Sequence, residues 1–335
     1  MIKVGFIGLG KMGISHLSIL NANTDVEVVG LSDTSKFIRE TLNKFTNFSV
    51  YEDFEEMVEN SKPEAVVIST PSSNHYEIAK KLIQKGLNIF VEKPLALSYK
   101  ESKELVDLSE NKVVTQVGYH NRFISTFNFA RKIISKGYLG EIYNFWAQAH
   151  GPAITKPSNS WRTNSPIGGG CLYDYGSHVI NLLSFILGAP RKVDYAELKK
   201  IYSNKVDDMV AAHLSYSDNK KGYLELNWSD ESYRRMTSEI TVWGNNGKLY
   251  ANAQEVHVFL KEGCPEFTLK KGWNIKYLID FSTNVNFFVR GEEYSEQLEY
   301  FIHKIKNHDY NNINSFEEAS VTDLLIERIN SFRKV

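Results

Sequence analysis

Apolar runs and amphipathic stretches take turns along the first third of the chain. Val4–Ile7, Val26–Leu31, Ala65–Ile68, Ile89–Val91 and Val113–Val117 read as strands, and Met12–Leu20, His75–Lys85 and Tyr99–Glu110 carry apolar residues at helical spacing. Continuously apolar strands separated by helices predict a parallel sheet covered on both faces, a doubly wound α/β domain over 1–122. The texture then changes. A helix is expected over Phe127–Lys136, a strand over Ile142–Ala149, and a helix that opens at Gly168-Gly169-Gly170 and closes at Gly188. Alternating strands follow at Tyr195–Ile201, Val210–Tyr216, Gly222–Trp228, Glu239–Trp243 and Val256–Leu260, with turns at Asp218-Asn219 and Asn245-Asn246-Gly247. A helix with one apolar face ends the pattern near Phe316–Phe332. The second domain, 123–335, is therefore expected to be α/β with a large, mostly antiparallel sheet whose outer face is open.

Length and composition narrow the function classes. A chain of 335 residues suits two domains with real cores. With 42 % hydrophobic residues, 24 % charged residues and a formal net charge of −1, nothing points to a nucleic-acid or membrane surface. The two cysteines, Cys171 and Cys264, make neither a disulfide framework nor a metal pair, which fits a reducing compartment. No apolar run approaches the ~20 residues of a membrane span, and the first residues lack the features of a signal peptide, so a cytoplasmic protein is expected.

The first strand runs straight into Gly8-Leu9-Gly10-Lys11-Met12-Gly13. Gly8 permits a tight turn, Gly10 lets a phosphate reach the backbone, and Gly13 lets the following helix lie close on the strand. Free N–H groups and the dipole at the helix start favour a pyrophosphate there. Asp33 ends the second strand, 20 residues beyond Gly13, where an acid receives the adenosine ribose hydroxyls of a dinucleotide. An acid there repels a 2′-phosphate, so NAD is the expected cofactor; Lys36 keeps NADP as the alternative.

Two further groups carry chemistry. Glu92-Lys93-Pro94 follows the strand Ile89–Val91, where a lysine is not needed for packing. Its ammonium can donate to a substrate oxygen or move protons. Asp174 and His178, four apart, share one helical face, so the carboxylate can orient the imidazole as an acid or base. Gly176 within that helix costs about 1 kcal/mol relative to alanine, which suggests close approach of a ligand or another backbone. The remaining histidines, His16 and His120 among them, have no ligand spacing, and no metal site is expected. Tyr233-Arg234-Arg235 reads as a basic surface turn.

Together these pieces resemble the glucose–fructose oxidoreductase/inositol dehydrogenase/rhizopine-catabolism (Gfo/Idh/MocA) family. The resemblance rests on the glycine turn, Asp33, Ser69-Thr70-Pro71 with Asn74-His75, Glu92-Lys93-Pro94, Gly118-Tyr119-x-x-Arg122-Phe123, Trp161-Arg162 and Gly169-Gly170 through His178. It implies a Rossmann domain followed by a domain whose open sheet serves as an oligomer interface, giving a homodimer or homotetramer. It makes Lys93, Asp174 and His178 the catalytic trio. Gly8, Gly10, Lys11, Met12, Gly13, Asp33, Thr70, Pro71, Asn74, His75, Glu92, Lys93 and Arg122 would lie along the dinucleotide. Tyr119, Trp161 and Arg162 would join the trio around a sugar, a cyclitol or a sugar derivative. Within the same resemblance stands an NAD-dependent glycosidase that begins with the same hydride transfer. A non-enzymatic dinucleotide sensor would need the glycine turn but not the trio.

Overall fold

A computed structural model describes residues 1–155, 161–281, 285 and 287–333. The chain divides into two units, Met1–His120 with Thr283–Ser320, and Asn121–Ser282 with Val321–Val335.

In the first unit β1 (Ile2–Ile7), β2 (Val26–Ser32), β3 (Val50–Tyr51), β4 (Ala65–Ile68), β5 (Asn88–Val91) and β6 (Thr115–Val117) form a parallel sheet in the order β3-β2-β1-β4-β5-β6. The strand order reverses beside β1. Val4 pairs with Ala65 and Ile7 with Ile68, so the turns that leave β1 and β4 lie side by side at the carboxyl edge, where such sheets bind ligands. All four residues of β4 are buried, as expected of a strand covered on both faces. The helices start where local chemistry satisfies their first N–H groups. Asp53 accepts from Glu55 and Glu56 at 2.8 and 3.0 Å, and Ser98 accepts from Glu101 at 3.3 Å.

The second unit carries β7 (Ile142–His150), β8 (Lys192–Lys199), β9 (Met209–Ser215), β10 (Lys221–Asn227), β11 (Thr237–Gly244), β12 (Gly247–Asn252), β13 (Glu255–Leu260) and β14 (Gly272–Tyr277). They form one sheet in the order β14-β13-β12-β11-β7-β10-β9-β8. The β7–β10 pair is parallel and the other pairs are antiparallel. Burial alternates along these strands with period two. The inner face shares a core with the helices Ser125–Ser135 and Ser177–Leu187, through Phe127, Phe145, Leu183 and Leu224. The outer face leaves Trp146, Tyr223, Trp273 and Tyr277 exposed.

Six strands and α-helices had no counterpart in the expected pattern: β3, β12, β14, the helices Lys36–Phe45 and Phe54–Ser61, and the helix Glu292–Lys306. That helix explains why Thr283–Ser320 joins the first unit rather than staying with the residues that precede it. Its Leu298, Phe301, Ile302 and Ile305 share a core with Phe90, Leu20 and Val114. The Gln116 side chain donates to the Gln297 carbonyl at 2.7 Å and accepts from Asn312 at 2.9 Å, which fastens the returning segment to β6.

Candidate functional site

The glycine turn is built by close backbone contacts. Gly8 has φ +85°, and a side chain there would press on the Ser69 backbone at 2.8 Å. A side chain at Gly13 would collide with the Gly8 carbonyl oxygen, whereas the space around Gly10 is open. The helix Lys11–Asn21 therefore begins against the strand, with Gly10 as a cap that contributes no side-chain hydrogen bond. Its first N–H groups have no partner within the helix. The Asp33 carboxylate accepts the Leu9 N–H at 2.7 Å with one oxygen and the Ser35 N–H at 2.7 Å with the other. The hydroxyls of Ser69 and Thr70 are buried and have no hydrogen-bond partner among the described residues. Open space at Gly10, uncapped helix N–H groups and two unsatisfied hydroxyls suit a dinucleotide's pyrophosphate. Lys36 is exposed and 3.8 Å from Glu40. Arg39, which the sequence pattern did not single out, donates to the Asp33 and Thr34 carbonyls at 2.9 and 2.8 Å and to Glu52 at 2.6 Å.

Lys93 leaves the carboxyl end of β5 half-buried, and the Lys93–Pro94 peptide is cis. Pro71 and Asn74 are exposed around the short turn Ser72–Asn74. His75 is fully buried, with its ring nitrogens 2.8 Å from the Pro94 carbonyl and 3.0 Å from the Thr70 carbonyl. It thus ties together the turns after β4 and β5. Burial holds its pKa low despite those carbonyls. Glu92 meets His16 Nε2 at 2.5 Å, and a side chain at Gly118 would stand 3.2 Å from its carboxyl carbon. Burial alone pushes the Glu92 carboxyl up, but the His16 hydrogen bond and charge, with Lys93 and His120, bring it below its ordinary value. His120 stacks on Tyr294 at 4.7 Å, and burial pulls the imidazole down to about 4. Tyr294 is pushed up to about 12 by burial, with the Glu92 charge adding to it. Tyr119, expected near substrate, is 1 % exposed and lies in the core of this unit.

In the second unit the expected helix begins at Cys171, directly after the three glycines, and its first turns are irregular. Gly168 and Gly170 have φ of +87° and +117°, and a side chain at Gly170 would meet the Asp207 carboxylate at 2.8 Å. That carboxylate accepts the Leu172 N–H at 2.8 Å. Leu172–Gly176 is a π-helical turn, and regular α-helix runs from Ser177 to Leu187. Gly176 is explained by side chains rather than by a ligand or a backbone, since a Cβ there would lie 2.9 Å from Leu226 and 3.1 Å from Leu172. Asp174 sits on the π turn, 3.2 Å from the Arg162 guanidinium, and His178, 7 % exposed, lies in the first turn of the α-helix. π turns inside helices are frequent at functional sites. Arg122, expected along the dinucleotide, is 1 % exposed. It donates to the Asn181 side chain at 2.6 Å and stacks 5.1 Å over Phe185. The Trp161 side chain lies outside the described residues.

Known proteins give this arrangement a context. Residues 2–119 match the oxidoreductase family with the NAD-binding Rossmann fold, and residues 127–250 match the GFO/IDH/MocA C-terminal domain. The 2,7-anhydro-N-acetylneuraminate hydratase of Mediterraneibacter gnavus is 27 % identical, over 79 % of this chain and 75 % of that protein. The scyllo-inositol 2-dehydrogenase (NADP(+)) IolW of Bacillus subtilis is 30 % identical, over 57 % of this chain and 53 % of its own. Levoglucosan dehydrogenase in complex with NADH has the same fold, with a TM-score of 0.87 at 22 % identity, over 99 % of this chain and 96 % of that one. With an NAD-binding Rossmann domain and the C-terminal domain that accompanies it, the chain belongs to the GFO/IDH/MocA family of oxidoreductases.

Proposed function

We propose that this oxidoreductase takes a hydride from a carbon that bears a secondary alcohol in a sugar, a cyclitol or a sugar derivative. The observation that carries the reading is Lys93, held half-buried at the carboxyl end of β5 beside the ionised carboxylate of Glu92. Bound NAD supplies the hydride acceptor. The N–H groups that follow Gly10, with Lys11 and Met12, hold its pyrophosphate, and Asp33 receives its ribose hydroxyls. Thr70, Pro71 and Asn74 flank it. The Lys93 ammonium donates to the substrate oxygen and stabilises it as it becomes a carbonyl. His178 takes the hydroxyl proton, and Asp174, itself positioned by Arg162, orients the imidazole. The second unit supplies substrate contacts, and its outer sheet face joins copies of the chain into a dimer or tetramer.

The test is a thermal-shift screen with NAD and a panel of free sugars, cyclitols, uronic acids and nucleotide sugars. Each stabilising compound is then followed by the absorbance of reduced cofactor. Tight NADH binding with no turnover across the panel would refute the reading. A second reading is supported by the likeness to a hydratase, a reaction without net oxidation. In it the same hydride transfer opens an elimination that breaks a glycosidic bond, water adds to the product, and NADH returns the hydride, so that the cofactor is regenerated. Product release from nitrophenyl glycosides with catalytic NAD, and no accumulation of NADH, would favour it.

A further inference from the structure

His16 is an unexpected residue for the helix Lys11–Asn21 to bury. Its ring is 0 % exposed and packs edge-on against Phe90, with centroids 5.2 Å apart. Nε2 lies 2.5 Å from Glu92 Oε1, and Nδ1 has no partner among the described residues. The other Glu92 oxygen faces the Lys93 backbone N–H at 3.4 Å. The absence of a side chain at Gly118 leaves the room the carboxylate occupies. Glu92 is thus enclosed by the helix Lys11–Asn21, by the start of its own turn and by the turn after β6. A buried imidazole–carboxylate pair adds little net stability over apolar residues of the same volume. Its place one residue before Lys93 calls for another account.

We propose that His16 is a positioning residue of the reaction, which holds Glu92 as a fixed, ionised carboxylate against the Lys93 turn. The proposal rests on the dehydrogenase reading only in the role given to Lys93. Through an N–H at Nε2, His16 donates to Glu92. The other charged or titratable groups near the carboxylate are Lys93 and His120, with Tyr294 beside them and Arg290 stacked 5.3 Å over the Tyr294 ring. His16 makes the 2.5 Å contact to the carboxylate. Without it burial governs Glu92, and the carboxyl takes up a proton at higher pH. Lys93 then loses its anionic neighbour on the acid side.

Two readouts test this. In protein labelled with [δ-13C]glutamate and saturated with NADH, the Glu92 resonance is assigned by its loss in Glu92→Gln. In the wild type it should remain ionised below its ordinary value of 4.5, and in His16→Ala it should protonate above that value. On the panel sugar turned over fastest, His16→Ala should lose about ten-fold in kcat at acid pH and recover above about pH 8, with the KM for NAD nearly unchanged. His16→Gln, which still offers an N–H to Glu92, should lose less and guards against a variant that fails to fold. An unmoved Glu92 titration in both variants, or a kcat loss equal at every pH, overturns the proposal. The titration needs no substrate, so a failure to find any turnover would count against the dehydrogenase reading and leave this measurement decisive.

Discussion

Asp33 and Leu9 are joined across the sheet edge: one carboxylate oxygen of Asp33 accepts the Leu9 N–H at 2.7 Å. The acid assigned to the ribose therefore also braces the glycine turn that faces the pyrophosphate. Asp33→Asn should weaken NADH binding by about ten-fold, since hydrogen bonds to a charged group are worth roughly 1.5–3 kcal/mol. Fluorescence titration with NADH and NADPH measures it. The ratio between the two cofactors should shrink, and a wild type that prefers NADPH would contradict the role of Asp33.

Lys93→Ala should lower kcat by about 10²-fold or more while the Kd for NADH stays close to wild type. Steady-state rates paired with cofactor titration separate the two effects. Near-normal turnover would remove Lys93 from the mechanism.

Gly13→Ala would force a methyl group onto the Gly8 carbonyl oxygen. The helix must move off β1, so NADH binding should fall below detection in a protein that still melts cooperatively. Gly176→Ala meets the Leu226 and Leu172 methyl groups instead. It should cost about 1–3 kcal/mol of stability by overpacking, read as a lower midpoint in urea, with cofactor affinity retained.

Acid should destabilise the chain through three groups of the first unit, His120, Glu92 and His75. His120 is held near 4 in the fold against 6.5 in the unfolded chain, so the unfolded state binds more protons between those values. Stability should fall as pH drops from about 6.5 towards 4. Glu92, held below its ordinary value of 4.5, contributes stability that is present above that value and lost as pH falls through its folded-state pKa. His120→Asn should flatten the upper part of the decline, with the buried His75 still contributing to it. Melting temperature against pH in wild type and variant checks the sign.

The outer sheet face exposes 39 % of Trp146 and 55 % of Tyr223. If copies of the chain meet there, Trp146→Glu with Tyr223→Lys should lower the assembly state in sedimentation and leave the melting of the protomer little changed. An unchanged mass would place any interface elsewhere.

The parallel sheet was legible because β4 and β5 are apolar enough to be read without partners, and the glycine turn because its backbone needs are local. The helix Glu292–Lys306 was not. It opens at Gly291, which offers no side-chain cap, and its first turn holds Glu292 and Glu293. Its fastening to Gln116 spans 181 positions. The same distance in sequence hid the partnership of His16 with Glu92, since a lone histidine on a helix names no carboxylate 76 residues away. Motif reading named Tyr119 and Arg122 without their burial, because a pattern of residue types does not say which side chains a core will cover. The irregular first turns of the expected helix were hidden for a related reason. The Asp207 carboxylate that takes the Leu172 N–H lies 35 positions away and sets where the winding begins.

The return of Thr283–Ser320 to the first unit bears on how the protein is made. Phe90, Val114 and Gln116 leave the ribosome long before Leu298, Phe301 and Asn312, which complete their surroundings. The nucleotide-binding half therefore waits, partly uncovered, through the synthesis of the entire large sheet. Despite coming first in the chain, it is finished only when nascent residues near 320 emerge, and until then its apolar edge is open to the misassembly that chaperones prevent.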